Sequence, residues 1–173
     1  MTNSPTNVQG YFKRYTDLVK EQDVFSAFDA QSLVISQLLP AISEEQSTFS
    51  YAPGKWTIRD VVGHILDIER VFGFRLMSFS RGETASFPRT NVELYVENAD
   101  FSRYALGEWL DEFSLVRNSN IALIRHLPSA AWARMGTVAL GPISVRAMAY
   151  LMVGHERHHL GIIREKYLLG TRD

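Results

Sequence analysis

Cysteine is absent from the 173-residue chain. That excludes disulfides, thiolate metal ligands and a cysteine nucleophile together, so a bound metal must be held through nitrogen and oxygen. No surplus of either charge exists: 18 basic and 19 acidic side chains leave a formal net charge of -1, and no five like charges run together. Nucleic acid needs a concentrated basic face and is not an expected partner. No window approaches the roughly 20 consecutive apolar residues of a membrane-spanning helix. The start of the chain, Met1 to Gln9, lacks the basic stretch and apolar core of a secretory signal, which predicts a cytoplasmic protein with no membrane partner.

The remaining composition is that of a folded domain, 46% hydrophobic and 21% charged, and a chain of this length can bury about two-thirds of its unfolded surface in one core. A single domain over 1–173 is expected, with its core at about 23–167 and a polar tail at 1–9. The apolar spacing is helical. A short leading helix over Tyr11 to Gln22 precedes a long one from Val24 to Ile42, with Pro40 in its last turn. Ala52-Pro53-Gly54-Lys55 marks a loop. Thr57, with Asp60 three residues on, caps a second long helix carrying Val61, Ile65, Ile68, Phe72, Leu76 and Phe79 and ending near Arg81-Gly82. The pattern lapses between Glu83 and Asp100, which predicts a long crossover loop, and loops of that length usually carry function. A third helix runs from Ser102 to Pro128. Trp132 to Pro142 reads as a loop that extends briefly, and Ser144 caps a last helix reaching Tyr167. The expectation is an all-α four-helix bundle.

Five histidines stand in this frame. At about 100° per residue, His155 and His159 lie about 40° apart and one turn apart on the last helix, so both imidazoles can reach one ion. His64 lies in the inward stripe of the second long helix and is the expected third ligand. His158, about 60° to the other side of His155, leaves a His155 and His158 pair as an alternative. His126 suits a hydrogen bond or favourable charge at a helix carboxyl end. The same stretch spells His-Glu-x-x-His, the zinc-peptidase pattern, with Glu156 as a candidate general base. Only 14 residues follow His159, fewer than most such enzymes need for their downstream ligand, and Glu156 could equally support a ligand or lie on the helix surface.

Two segments together carry a resemblance to a known family. These are Tyr51-Ala-Pro-Gly-Lys-Trp56-Thr-Ile-Arg-Asp-Val-Val-Gly-His64, with Asp67, Glu69, Arg70, Arg75 and Arg81-Gly82 beyond it, and Gly154-His-Glu-Arg-His-His159. The chain resembles the DinB-like, damage-inducible metal proteins over about Asp23 to Tyr167. The resemblance implies an up-down-down-up four-helix bundle with a long crossover loop, often a homodimer and linked to stress responses. It also implies a divalent ion on His64, His155 and His159, zinc or nickel first, with iron or manganese as other candidates.

Related members look like thiol-dependent transferases, which implies a metal-dependent enzyme using a low-molecular-weight thiol on an electrophilic small molecule. Arg75, Arg81 and Arg89 could guide an anionic thiol or substrate, and Tyr95 could supply a hydrogen bond from the crossover. A noncatalytic protein with a structural ion is the alternative, and a metal-dependent hydrolase a further one. A closed coordination sphere would favour structure, an open one chemistry.

Overall fold

The computed structural model describes residues 8–169, so most of the expected amino-terminal tail and the last four positions lie outside it. Seven α-helices are present among the described residues: α1 (Val8–Thr16), α2 (Val24–Leu38), α3 (Glu44–Ser47), α4 (Ile58–Ser80), α5 (Val92–Ala99), α6 (Leu106–Arg125) and α7 (Val145–Ile162). α7 continues as a π-helical stretch, Ile163–Leu168. Three short strands, β1 (Ser86–Phe87), β2 (Met135–Val138) and β3 (Gly141–Ser144), and three 3-10 turns lie between the helices. None of the helices is long and apolar enough to cross a membrane.

Caps set the ends of the long helices. The Thr57 hydroxyl accepts from the Asp60 N–H at 3.2 Å, and the Asp60 carboxylate accepts from the Thr57 N–H at 2.9 Å, satisfying two donors that begin α4. α4 stops where Gly82 takes φ 91°, in the left-handed region. Ser144 caps α7 by accepting from the Ala147 N–H at 3.1 Å. Pro40 sits in a 3-10 turn, Leu39–Ala41, that closes α2, since proline cannot donate within a continuing helix.

Two apolar clusters fix the helix directions. One gathers Phe28 of α2, Leu76 and Phe79 of α4, Ile124 of α6 and Met148, Leu151 and Met152 of α7. The other gathers Leu39, Ile58, Val61, Ile65 and Leu66, then Leu106 and Phe113, then Leu160, Ile163 and Tyr167. α4 and α6 therefore run from the second cluster to the first, whereas α2 and α7 run the opposite way. This is the up-down-down-up order. Because α4 and α6 are parallel, the chain between them must return along a helix roughly 35 Å long, which explains the long crossover.

That crossover differs in detail from a plain loop: it contains β1, α5 capped by Asn91, and a 3-10 turn, Phe101–Arg103. Its elements are too short to leave a helical periodicity in the sequence. The leading helix spans Val8–Thr16 instead of reaching Gln22, and α6 begins at Leu106, after the 3-10 turn. A small sheet is added to the bundle. β2 and β3 pair antiparallel with Met135 opposite Ser144, and β1 joins β2 in parallel with Ser86 opposite Thr137. Two of its strands form the stretch expected to extend briefly.

Between the two apolar clusters lies a charged layer. Arg117 of α6 grips Glu69 of α4 with two bonds, Nε to Oε1 at 2.9 Å and Nη2 to Oε2 at 3.1 Å, and reaches Glu156 of α7 with a third at 2.5 Å. Its guanidinium lies 4.9 Å from the ring centroid of Phe28 and 5.0 Å from that of Phe113. All three charged side chains are buried. Burial alone would lower the Arg117 pKa, but the facing carboxylates outweigh it and raise it. Burial pushes the Glu156 carboxyl up to about 6 against the pull of Arg117. Removing the arginine would strand two buried carboxylates, so Arg117→Ala should lower unfolding stability by about 3–5 kcal/mol in urea titration. A loss below about 1 kcal/mol, the scale of an exposed ion pair, would show that the cluster is not sealed from water.

Candidate metal centre

His64 is presented by the second turn of α4, and His155 and His159 by successive turns of α7. The antiparallel packing of these helices brings all three rings together. His64 Nε2 lies 3.2 Å from His155 Nε2, and His159 Nε2 lies 3.1 Å from the same atom. Each residue offers one nitrogen within 4.8 Å of the others. Among the described residues no other histidine, aspartate or glutamate joins this group. Aromatic rings wedge the imidazoles in place: Trp56 stands 5.1 Å from His64, and Phe72 and Tyr15 stand 5.5 and 5.4 Å from His155.

The electrostatics suit a cation ligand set. Burial lowers the His64 pKa to about 4, against an opposing contribution from Glu93. His159 falls to about 3 through burial and the neighbouring His64, His158 and Arg14. His155 lies well below the ordinary imidazole value for the same leading reason. These shifts all favour the uncharged, ligating form of the rings at neutral pH. His155 Nε2 faces two like nitrogens and carries at most one proton, so it cannot donate to both. The separations instead suit lone pairs converging on one centre: nitrogens about 2.0–2.1 Å from an ion would subtend roughly 95–105° there. The donor set and its spacing fit a divalent transition metal.

The three nitrogens sit at one side of a cavity of about 270 Å³, at the small end for ligand sites. α1 lines it with Tyr11, Phe12, Arg14 and Tyr15, and the crossover contributes Arg89, Thr90 and Glu93. Arg75 also lines it, but donates to the Pro88 carbonyl at 2.7 Å and to Thr90 Oγ1 at 3.1 Å, fastening the crossover to α4. Arg81 is exposed at the end of α4, away from the cavity. Tyr95 lines a neighbouring hollow with Arg70 and Phe74.

Glu156 belongs elsewhere, in the charged layer with Arg117, and the His-Glu-x-x-His pattern therefore does not place a general base in the cavity. His158 packs on Tyr15 at 5.2 Å, outside the group of three. His126 Nδ1 lies 2.7 Å from the Ala122 carbonyl at the end of α6, as expected for a helix terminus. Arg14 and Glu93 leave no local signal in the sequence. Neither stands in a motif, and both reach the cavity through tertiary packing.

A four-helix bundle in up-down-down-up order, with three histidines converging beside a cavity, defines the class of this protein. The chain belongs to the DinB superfamily, whose family model matches residues 27–163. Among solved structures it is similar to YfiT from Bacillus subtilis, described as a probable metal-dependent hydrolase with an unusual four-helix bundle topology. The two share 19% sequence identity with a TM-score of 0.67, covering 95% of this chain and 87% of that one. No curated protein matches the chain.

Because the ring pKa values are lowered, metal binding should displace almost no protons at pH 7. Calorimetric zinc titrations in buffers of different ionisation enthalpy should give the same heat, with affinity flat from pH 8 to 6. Proton competition should begin only as pH falls toward the His64 value of about 4. A tenfold or larger loss of affinity between pH 7.5 and 6 would mean that the rings titrate like exposed imidazoles, with a pKa of about 6.5.

Proposed function

We propose that the protein is a metal-dependent transferase that joins a low-molecular-weight thiol to an electrophilic small molecule, using a divalent ion held by His64, His155 and His159. The observation that carries this reading is the open site: three neutral imidazole nitrogens face a cavity with no fourth protein donor among the described residues. A structural ion is ordinarily enclosed by four protein ligands. Bound there, a divalent ion supplies Lewis-acid charge that makes a small nucleophile reactive at neutral pH. Zinc and nickel suit the all-nitrogen donor set, as do iron and manganese less closely.

The chain's own residues bind and orient. Trp56 and Phe72 hold the imidazoles at fixed angles and keep one flank of the site apolar. With no cysteine in the chain, the sulfur nucleophile must arrive as a separate molecule. The thiol would release its proton to solvent, its thiolate would form the new bond to the electrophilic carbon, and the leaving group would depart with the displaced electron pair. Hydrolysis is the second reading, supported by the description of YfiT and by the Glu93 carboxylate in the cavity, which could accept a proton from water.

The test compares consumption of thiol with 1-chloro-2,4-dinitrobenzene against cleavage of 4-nitrophenyl acetate without thiol. The transferase reading expects the first reaction, dependent on added metal and lost both on chelation and in His155→Ala. Metal-dependent ester cleavage alone would favour hydrolysis. Loaded protein inactive across a panel of thiols, electrophiles and esters would contradict both.

A further inference from the structure

α1 ends before the family-matched span begins, yet it forms one wall of the cavity; every other lining residue falls inside that span. α1 is seated closely. A Cβ on Gly154 of α7 would stand 2.2 Å from the Tyr15 carbonyl oxygen, so only glycine there lets α1 approach this near. The result is to bring Arg14, itself exposed, to the rim of the cavity that the histidines line.

Arg14 is held by aromatic rings in place of an acid. Its guanidinium lies 4.3 Å from the ring centroid of Tyr11 and 4.6 Å from that of Tyr15, and its Nη2 donates to the Tyr15 hydroxyl at 2.7 Å. No carboxylate among the described residues pairs with it. Its charge helps to lower the pKa of His155, His158 and His159. Around the cavity Arg14, Arg75 and Arg89 face the single carboxylate of Glu93, leaving two net positive charges before a divalent ion adds two more. Arg14, Arg89 and Glu93 are exposed at the cavity rim, where the net positive charge draws anions toward the histidines.

We propose that the cavity takes an acidic small molecule, with a carboxylate or similar oxyanion bound by Arg14 and its reactive end turned to the three histidines. The inference rests on the metal-dependent reading above and names the class of molecule that site receives. Tyr11 and Tyr15 pre-place the guanidinium, which leaves further N–H donors free for a paired contact with the anion. Arg89, likewise without a carboxylate partner among the described residues, is a second anchor on the crossover wall.

Cobalt(II)-loaded protein provides the test, read by its visible absorption band rather than by turnover. 3-Mercaptopropionate and its methyl ester carry closely similar thiols and differ in charge. The acid should perturb the band at a concentration at least about tenfold lower than the ester, as expected for a charge-assisted contact. In Arg14→Gln the preference should shrink to about twofold, and in Arg14→Lys part of it should return, with unchanged circular dichroism in both. Equal affinities in the unaltered protein would overturn the proposal. So would an unchanged preference in Arg14→Gln, which is what a carboxylate that simply chelates the ion would give. A protein that takes up no cobalt would instead contradict the metal-dependent reading itself.

Discussion

The sealed contact among Glu69, Arg117 and Glu156 is the constraint from which the rest of the arrangement follows. Charges buried between two apolar clusters are tolerated only when paired and hydrogen-bonded. Slipping any of α4, α6 or α7 by a residue would break the pairing and strand a charge. Such networks rarely add net stability relative to a well-packed apolar layer, but they can enforce one register. Here the register also serves the histidines. Glu69 lies just over one turn beyond His64 on α4, and Glu156 is adjacent to His155 on α7. Fixing the carboxylates on Arg117 thus fixes the two helices at the offset that brings His64 against His155 and His159.

Much of this was legible in the sequence. The Thr57 and Asp60 cap, the stripe from Val61 to Phe79 and the i, i+4 histidine pair gave α4, α7 and the convergent triad. They did so because capping and helical spacing are local properties. Glu156 was harder to place: two adjacent helical residues point about 100° apart, so His155 faces the cavity while its neighbour faces α6. Arg117 did leave a signal, since it holds a core position in the series Phe113, Arg117 and Ile124. A charge on an apolar stripe implies a buried partner. Which partner it finds, and how Arg14 or Glu93 reaches the cavity, depends on contacts between distant elements that spacing along the chain does not encode. The short strands and α5 carry too few residues to establish a period.

The division of labour is therefore clear. Regular helices, held in register by buried charges, supply three nearly rigid imidazoles. Segments outside the four-helix core, α1 and the crossover, surround those imidazoles with arginines, a glutamate and aromatic rings. Binding of an ion to the folded chain alone would also stabilise it by mass action, so metal content and thermal stability should be coupled whatever the reaction.

The central claim is that His64, His155 and His159 together hold one divalent ion. Elemental analysis addresses it most directly, on untagged protein purified without added metal and reconstituted with zinc, beside His64→Ala, His155→Ala and His159→Ala. The account predicts close to one ion per chain in the unaltered protein and loss of that ion in each variant that remains folded. Absence of metal after reconstitution, or retention of a full equivalent in the variants, would contradict it.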